Sequence, residues 1–248
     1  MNILVCISSV PDTTSKINFT NGNSEFDKNG IQFVINPYDE FGLTKAMILK
    51  EENSGKVTVI TVGEKDVEPV IRKSLAIGAD EALRIDMDPK DSFSVAKAIS
   101  KYIKENDFDI IIAGRESTDY NGGNVPAMIS EIVGLPFVNA CIGLELVDGK
   151  AKLVREIDGG KENVECNIPF IIGGQKGLVE ESDLRIPNMR GIMQSRSKPL
   201  NVIDYNEEDK HTSTIEFSKP KSRAECKLID SENVSDLLEL LQNEAKVL

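Results

Sequence analysis

The feature that most constrains the fold of this chain is a regular alternation of short apolar runs with longer segments of helical periodicity. Two of the runs, VTVITV within Lys56–Val62 and DIIIA at Asp109–Ala113, are almost wholly apolar. Strands of this composition are covered on both faces, as they are in parallel sheets. Their alternation with helices predicts an α/β fold in which helices sandwich a mostly parallel sheet.

The same periodicity sets the order of the predicted elements. The predicted parallel strands are Asn2–Ile7, Lys56–Val62, Ala82–Ile85 and Asp109–Ala113, and the predicted helices are Tyr38–Glu52, Val67–Ile77, Phe93–Glu105 and Gly122–Val133. Aspartate–glycine turns after Pro136 predict an antiparallel edge, formed by Ala140–Leu146, Lys152–Ile157 and Val164–Ile172. We therefore divide the chain into an α/β domain at 1–200, with an irregular segment at 174–198, and an extended C-terminal arm at 201–248. The arm ends in a predicted helix over Ser231–Val247, with Asp230 or Ser231 as its N-cap.

Composition argues against several classes of function. The formal net charge of -12 over 248 residues disfavours nucleic acid and anionic membrane surfaces as partners. The four cysteines form no C-x-x-C pair and the single histidine, His211, lies in a polar run, so we expect no disulfide framework, metal site or histidine-based catalytic centre. No apolar segment approaches the ~20 residues that span a bilayer, and we expect no signal peptide. These features predict a cytoplasmic protein without membrane insertion.

Ligands in open α/β sheets bind beyond the carboxyl ends of the strands, which draws attention to the turn GRESTDYNGGNVP at Gly114–Pro126. The chain has neither a G-x-G-x-x-G loop nor a Walker A loop. Asn121 is a candidate cap for the next helix, whose positive end could receive an anion close to the glycine backbone. The groups that could assist are the N–H groups of Gly122, Gly123 and Asn124, the hydroxyls of Ser117 and Thr118, and Asp119 toward a ribose hydroxyl. An anion site and an ordinary capped loop both remain open at this point.

A second helix start has the sequence Asn36-Pro37-Tyr38-Asp39-Glu40. Asparagine as the cap, proline at the first helical position and acids in the first turn all favour a helix start. Its acids disfavour phosphate, so this segment would serve a sugar or a base, or would only start a helix.

Six segments, in order along the first 200 residues, resemble the β subunit of electron transfer flavoprotein. They are ILVCISSVPD at Ile3–Asp12, VINPYDEFGLTKA at Val34–Ala46, IRKSLAIGAD at Ile71–Asp80, GRESTDYNGGNVPAMISEIVGLP at Gly114–Pro136, VREIDGGKENVECNIPFII at Val154–Ile172 and RGIMQSRSKPL at Arg190–Leu200.

The resemblance implies a fold similar to the adenine-nucleotide α-hydrolase superfamily, without hydrolysis. It also implies an electron carrier that is not itself an enzyme. In the family, a larger α subunit holds most of an FAD and the β subunit carries a structural AMP. The pair moves electrons from flavin dehydrogenases, such as acyl-CoA dehydrogenases, to a quinone oxidoreductase or another acceptor.

Transferred residue by residue, the resemblance implies an AMP pocket. Backbone groups near Cys6 and Val62 would hold the adenine, and Asn121–Val125 would bind the phosphate. The implied cofactor-binding residues are Cys6, Asn36, Pro37, Tyr38, Asp39, Val62, Gly114, Arg115, Glu116, Ser117, Thr118, Asp119, Tyr120, Asn121, Gly122, Gly123, Asn124 and Val125. The family docks dehydrogenases through a loop that is Glu180–Arg190 here, which makes Met189 and Arg190 the implied docking residues. The C-terminal helix would pack on the α subunit or on its own domain.

Departures from the family pattern leave alternatives. Ser8-Ser9 stands where the family commonly has basic residues, and Ser182-Asp183-Leu184-Arg185 replaces an Asn-Glu-Pro-Arg run. Within the family, an electron-bifurcating form would hold a second FAD in place of AMP and use NADH, but its members tend to have Thr-Ala-Gln where this chain has Gly122-Gly123-Asn124. Outside the family, an ATP-using enzyme would need an S-G-G-x-D-S loop. A stress-type ATP sensor would need a long glycine-rich loop. The sequence contains neither.

Overall fold

The structure, a computed structural model, describes residues 1–206, 210–223 and 225–248, so positions 207–209 and 224 of the predicted C-terminal arm lie outside the described residues. The strands are β1 Asn2–Cys6, β2 Ser9–Pro11, β3 Phe19–Thr20, β4 Glu25–Phe26, β5 Phe33–Ile35, β6 Lys56–Val62, β7 Glu81–Asp86, β8 Ile110–Gly114, β9 Phe137–Val147, β10 Lys150–Ile157, β11 Gly160–Asn167, β12 Phe170–Gly174 and β13 Leu200–Asp204. The α-helices are α1 Pro37–Asn53, α2 Glu68–Ile77, α3 Ser92–Glu105, α4 Val125–Val133, α5 Met189–Ser195 and α6 Val234–Glu239.

A nine-stranded sheet in the order β11-β10-β9-β12-β8-β1-β6-β7-β13 forms the centre of the fold. From β9 through to β13, neighbouring strands pair in parallel. At the other edge, β10 pairs antiparallel with both β9 and β11. The predicted α/β fold, with a mostly parallel sheet and an antiparallel edge, is confirmed.

Helices cover both faces of this sheet. On one face, α1 and α2 pack Leu43 and Ile71 against the strands. On the other face, α3 and α4 contribute Ile99 and Ile129. The run at β8 is apolar at every position because its side chains alternate between these two cores, and burying one such side chain contributes about 1.5–3 kcal/mol.

Two features of the sheet differ from the sequence prediction. The predicted strand Val164–Ile172 is wrong as a single element, because β11 ends before Pro169 and β12 begins after it. Proline has no N–H to donate to a ladder, and beyond it β12 lies between β8 and β9 instead of at the antiparallel edge. Strand β13 was not predicted. It pairs with β7, so the sheet continues to Asp204, past position 200.

The arm after β13 touches the domain at a few points. The N–H groups of His211 and Thr212 donate to Oδ2 of Asp91 over 2.6 and 2.8 Å. Farther along, Phe217 stacks on Phe19, with ring centroids 4.9 Å apart. These contacts tie the first part of the arm to the domain.

The terminal helix is shorter than predicted. Helix α6 has Asn233 as its N-cap, and a π-helical turn at Leu240–Glu244 follows it. The predicted caps Asp230 and Ser231 are wrong, because the N–H of Asn233 donates to the carbonyl of Asp230 in a turn that precedes the helix. No helix in the described part of the chain is long and apolar enough to cross a membrane.

Candidate functional site

The candidate site lies where the order of the strands reverses. β1 is flanked by β6 on one side and β8 on the other. The chain leaves β1 through α1 on one face of the sheet and enters β8 through α3 on the other face. Such a switch opens a crevice at the carboxyl ends of the strands, where ligands bind in folds of this kind. Cys6, Val62 and Gly114 are the last residues of the three strands, so the fold brings these predicted residues to one edge.

The start of α1 is joined to the turn that follows β8. Asn36 is the N-cap residue as predicted, but its side chain does not cap the helix. Its Nδ2 donates to the carbonyl of Glu116 over 2.9 Å, and its Oδ1 accepts from the N–H of Thr118 over 3.3 Å. The Asn36 side chain therefore fixes the first half of the turn against the helix.

Asp39, in the first turn of α1, joins two strand ends. Its side chain is buried, with only 2% of the residue exposed. Oδ2 accepts the N–H of Ser8 over 2.7 Å and Oδ1 accepts the N–H of Gly114 over 2.8 Å. Burial raises the pKa of this carboxyl to about 7, although the hydrogen bonds from Ser8, Asn36 and Gly114 oppose the rise.

Gly114 allows the close approach of helix and strand end. A β-carbon there would lie 2.4 Å from Oδ1 of Asp39, 2.8 Å from Cβ of Tyr38 and 3.0 Å from Nδ2 of Asn36. These distances are too short for any side chain without movement of the backbone. Glycine at this position therefore serves the contact between β8 and α1.

The second half of the turn leads into α4. The N–H of Ser117 donates to the carbonyl of Gly122 over 3.0 Å, which closes the loop on itself. The predicted cap Asn121 and the predicted helix start at Gly122 are wrong. Asn121 has a left-handed φ of 53°, Asn124 is the N-cap residue and the helix begins at Val125. Proline in the first turn favours this later start, and the N–H groups at the start of a helix have no intrahelical acceptors, so they can receive an anion.

The outer residues of the turn face solvent. Tyr120 is 68% exposed, and its N–H donates to Oδ1 of Asp119. Pro37, the first residue of α1, is exposed as well, whereas Tyr38 is half-buried. Burial and a hydrogen bond with Glu116 raise the pKa of Tyr38, so its phenol stays neutral.

Arg115 is held by residues that the sequence did not indicate. Its N–H donates to the carbonyl of Gly174, and its Nη1 donates to Oε1 of Gln175 over 2.7 Å. The buried Gln175 in turn donates to Glu156 on β10. The available signal was the Gly174-Gln175 pair at the end of a strand, but its position beside β8 depends on the unpredicted path of β12.

The remaining strand ends present backbone and thiol groups. Burial, and then the nearby Asp39, raise the pKa of the Cys6 thiol to about 12, so it stays protonated at neutral pH. Val62 is half-buried. Gly63 fixes the turn after it, because the N–H of Gly63 donates to the carbonyl of Ile85 and the carbonyl of Gly63 accepts from Nη1 of Arg84 over 2.9 Å. Arg84, a buried residue within β7, was also missed, since nothing in the sequence indicates that an arginine in a strand is buried.

The predicted docking residues lie in another part of the molecule, at the start of α5. This helix packs so closely on α2 that a β-carbon at Gly191 would lie 2.2 Å from the carbonyl oxygen of Ala76. Met189 is 76% exposed and Arg190 is exposed beside it. Ile186 and Met193 extend the exposed apolar surface.

Two basic residues of the 174–198 segment attach it to helices α1 and α2. Arg185 forms a double ion pair with Glu51, with N–O distances of 2.6 and 2.7 Å. Lys198 donates to the carbonyls of Leu75 and Ala79 at the end of α2, where cations are favoured. Both cationic groups therefore already have partners within the chain, an anion for Arg185 and backbone carbonyls for Lys198.

The fold and the site define the class of this protein: an α/β domain with a glycine-bearing turn at the switch in a mostly parallel sheet. The electron transfer flavoprotein domain matches residues 25–208. The chain is 32% identical to electron transfer flavoprotein subunit beta of Bacillus subtilis (strain 168) over 262 aligned positions, which cover all of both chains. The subunit beta of Syntrophomonas wolfei is 34% identical over all of this chain and 98% of its own. The chain belongs to the electron transfer flavoprotein family, among its beta subunits.

A further relative carries a different description. The chain is 29% identical to the caffeyl-CoA reductase-Etf complex subunit CarD of Acetobacterium woodii, over 84% of this chain and 79% of that protein.

Among the described residues, no group of histidine, cysteine, aspartate or glutamate side chains could hold a metal ion.

Proposed function

We propose that this protein is the β subunit of a heterodimeric electron transfer flavoprotein, that it binds a structural AMP at the strand ends and that it has no independent catalytic activity. The observation that carries the proposal is the turn Gly114–Val125, which is tied to α1 at one end and opens helix α4 at the other. Membership of the family supports it.

Each part of the site suits one part of AMP. The N–H groups at Asn121–Val125 would receive the phosphate at the positive end of α4. Backbone groups near Cys6 and Val62, at the ends of adjacent strands, would hold the adenine. The hydroxyls of Ser117 and Thr118 would add donors from the turn.

In this proposal a larger α subunit holds most of the FAD, which supplies the redox chemistry when bound. The C-terminal arm supports a partner subunit, because it exposes apolar side chains that an isolated chain has no reason to present. Ile215 is 89% and Leu228 is 91% exposed. We propose that the arm and its helix α6 pack on the α subunit.

We further propose that flavin dehydrogenases, such as acyl-CoA dehydrogenases, dock at Met189 and Arg190, and that a quinone oxidoreductase is the acceptor. The exposed methionine side chain supports this role, because it is apolar and can adapt to different partners. The proposed location of the pair is the cytoplasm.

The likeness to CarD favours a second candidate, an electron-bifurcating form with a second FAD in place of AMP and NADH as the donor. The sequence Gly122-Gly123-Asn124 in the turn supports AMP instead. Counting flavins per reconstituted heterodimer separates the two: one flavin is expected for the AMP form and two for the bifurcating form.

Mass spectrometry of the nucleotide released on denaturation tests the main proposal. The purified chain, with and without the α subunit, is expected to release stoichiometric AMP, and the chain alone is expected to be colourless. Release of FAD from the chain alone, or of no nucleotide from the pair, would overturn it. Turnover of ATP by the chain would support an enzyme of the same superfamily instead.

A further inference from the structure

We infer that Asp39 is a positioning residue of the nucleotide site: its carboxylate sets the spacing between the ends of β1 and β8 and makes no contact with the nucleotide. This inference rests on the proposed function, because it assigns a role within the proposed AMP site. It differs from the role that the family resemblance implies for Asp39, which is direct cofactor binding.

Both oxygens of Asp39 are already used. Oδ2 accepts from Ser8, two residues beyond β1, and Oδ1 accepts from Gly114, the last residue of β8. The distances of 2.7 and 2.8 Å are those of charge-assisted hydrogen bonds. With 2% of the residue exposed, the side chain is enclosed by the fold.

A carboxylate suits this position because its hydrogen-bond partners, the N–H groups of Ser8 and Gly114 and the side chain of Asn36, are all donors. The strand ends leave the ladder here, and a buried N–H without an acceptor destabilises the fold. An ionised aspartate offers two acceptor oxygens, whereas an asparagine offers one acceptor and a donor amide. Asparagine at this position would therefore turn a donor group toward one of the two N–H groups.

We call the two hydrogen bonds from Ser8 and Gly114 to Asp39 the Asp39 clamp. Further hydrogen bonds connect this clamp to the phosphate end of the turn. Asn36, at the start of the same helix, binds Glu116 and Thr118, and the N–H of Ser117 binds Gly122. The start of α1 is thus hydrogen-bonded to the turn at Gly114, Glu116 and Thr118, and the Ser117–Gly122 bond links this first half of the turn to the second half. A change in the Asp39 clamp would move the N–H groups at the start of α4 relative to β1.

The protonation of Asp39 gives the clamp a dependence on pH. Burial raises its pKa to about 7, so near neutral pH the carboxyl gains and loses its proton. The titratable groups next to Asp39 carry little unpaired charge at this pH. Cys6 faces it from β1 and stays protonated, and Glu40, on the same helix, is paired with Lys73. A proton on Asp39 leaves one N–H with a poorer acceptor, so AMP should be held more tightly above pH 7 than below it.

The test compares Asp39→Asn with Glu40→Gln in the full chain. Both substitutions remove one negative charge from the first turn of α1. We expect Asp39→Asn to weaken AMP binding at least about tenfold in calorimetric titrations at about pH 8, while Glu40→Gln changes it less than about twofold. We also expect the affinity of the wild-type chain to fall between about pH 8 and about pH 6 by a larger factor than that of Asp39→Asn.

A second measurement does not depend on nucleotide or on the folding of a variant. In isotope-labelled wild-type chain, the amide signals of Ser8 and Gly114 should titrate together, with one midpoint near the pKa of about 7. An Asp39→Asn variant with wild-type affinity, or two amides that do not titrate together, would overturn the inference alone. A wild-type chain that binds no AMP would overturn the proposed function and this inference with it.

Discussion

The strand-end turn and the C-terminal arm are built in opposite ways. In the turn at Gly114–Val125, side chains from α1 hold the backbone at several points, and the central one, Asp39, is buried. Most of the arm beyond Phe217 is exposed, and its large apolar residues, such as Leu228, face solvent. The backbone of the turn is held by hydrogen bonds to α1, whereas the arm leaves apolar surface uncovered in the chain alone.

This difference assigns the two regions different roles. A backbone held at fixed spacing is suited to a small ligand, because binding then costs little ordering. An exposed arm with apolar side chains gains stability only when a partner covers it. Substitutions in one region at a time separate these roles, and we expect their effects to become smaller from the turn toward the end of the arm.

The largest effect is expected for Gly114→Ala. The added β-carbon would lie 2.4 Å from Oδ1 of Asp39, so the strand end must separate from α1. We expect the free energy of unfolding, measured by urea denaturation, to fall by about 1–3 kcal/mol, with loss of bound nucleotide. Gly160→Ala, where a β-carbon meets no atom within 4 Å, is the matched control. Equal stability of the two variants would contradict the clamped turn.

An intermediate effect is expected for Asp91→Ala, which releases the beginning of the arm. Asp91 caps α3 by accepting from Ser94, and it accepts from His211 and Thr212 as well. Loss of the cap should lower the free energy of unfolding by about 0.5–2 kcal/mol. The arm should also become more sensitive to limited proteolysis, whereas Asp88→Ala, a charge-matched change nearby, should leave both properties unchanged.

Asp91 also predicts a dependence of stability on pH. Partial desolvation raises its pKa, but the backbone donors Ser94, His211 and Thr212 outweigh this effect and hold the pKa below its ordinary value. A lowered pKa in the folded state stabilises the fold above the unfolded value, and this contribution is lost as the pH falls below about 4. Acid unfolding curves of wild type and Asp91→Ala should therefore converge at low pH. A constant difference across the acid range would refute the assignment.

The smallest effect on the chain alone is expected for Leu238→Ser in α6. This leucine is 51% exposed, so its replacement should change the free energy of unfolding of the isolated chain by less than about 0.5 kcal/mol. The yield of heterodimer after coexpression should nevertheless fall, because the side chain would pack on the α subunit. A yield equal to that of a Glu239→Gln control would remove α6 from the proposed interface.

The sequence predicted the elements that depend on local pattern. The apolar runs of β1, β6 and β8 and the glycine-bearing turn were identified from periodicity and composition alone. The cap was misassigned because Asn121 and Asn124 have the same chemistry, and only the left-handed φ of the former excludes it. The path of β12 was missed, and with it Gln175, because pairing between distant strands has no local signal.

The side-chain connections of the site could not be predicted for the same reason. Asn36 reaches a carbonyl 80 residues away in sequence and Asp39 an N–H 75 residues away. Local pattern explains why both residues start a helix, which is an adequate reason for their presence. Only the packing of α1 against β8 reveals their second use.

Hydrogen exchange on the full chain, stripped of nucleotide and then reloaded with AMP, tests the central claim most directly. We expect AMP to slow exchange mainly in Gly114–Val125 and at the start of α1, and to leave exchange in residues 225–248 unchanged. Slowed exchange in the arm without any change in the turn would contradict it.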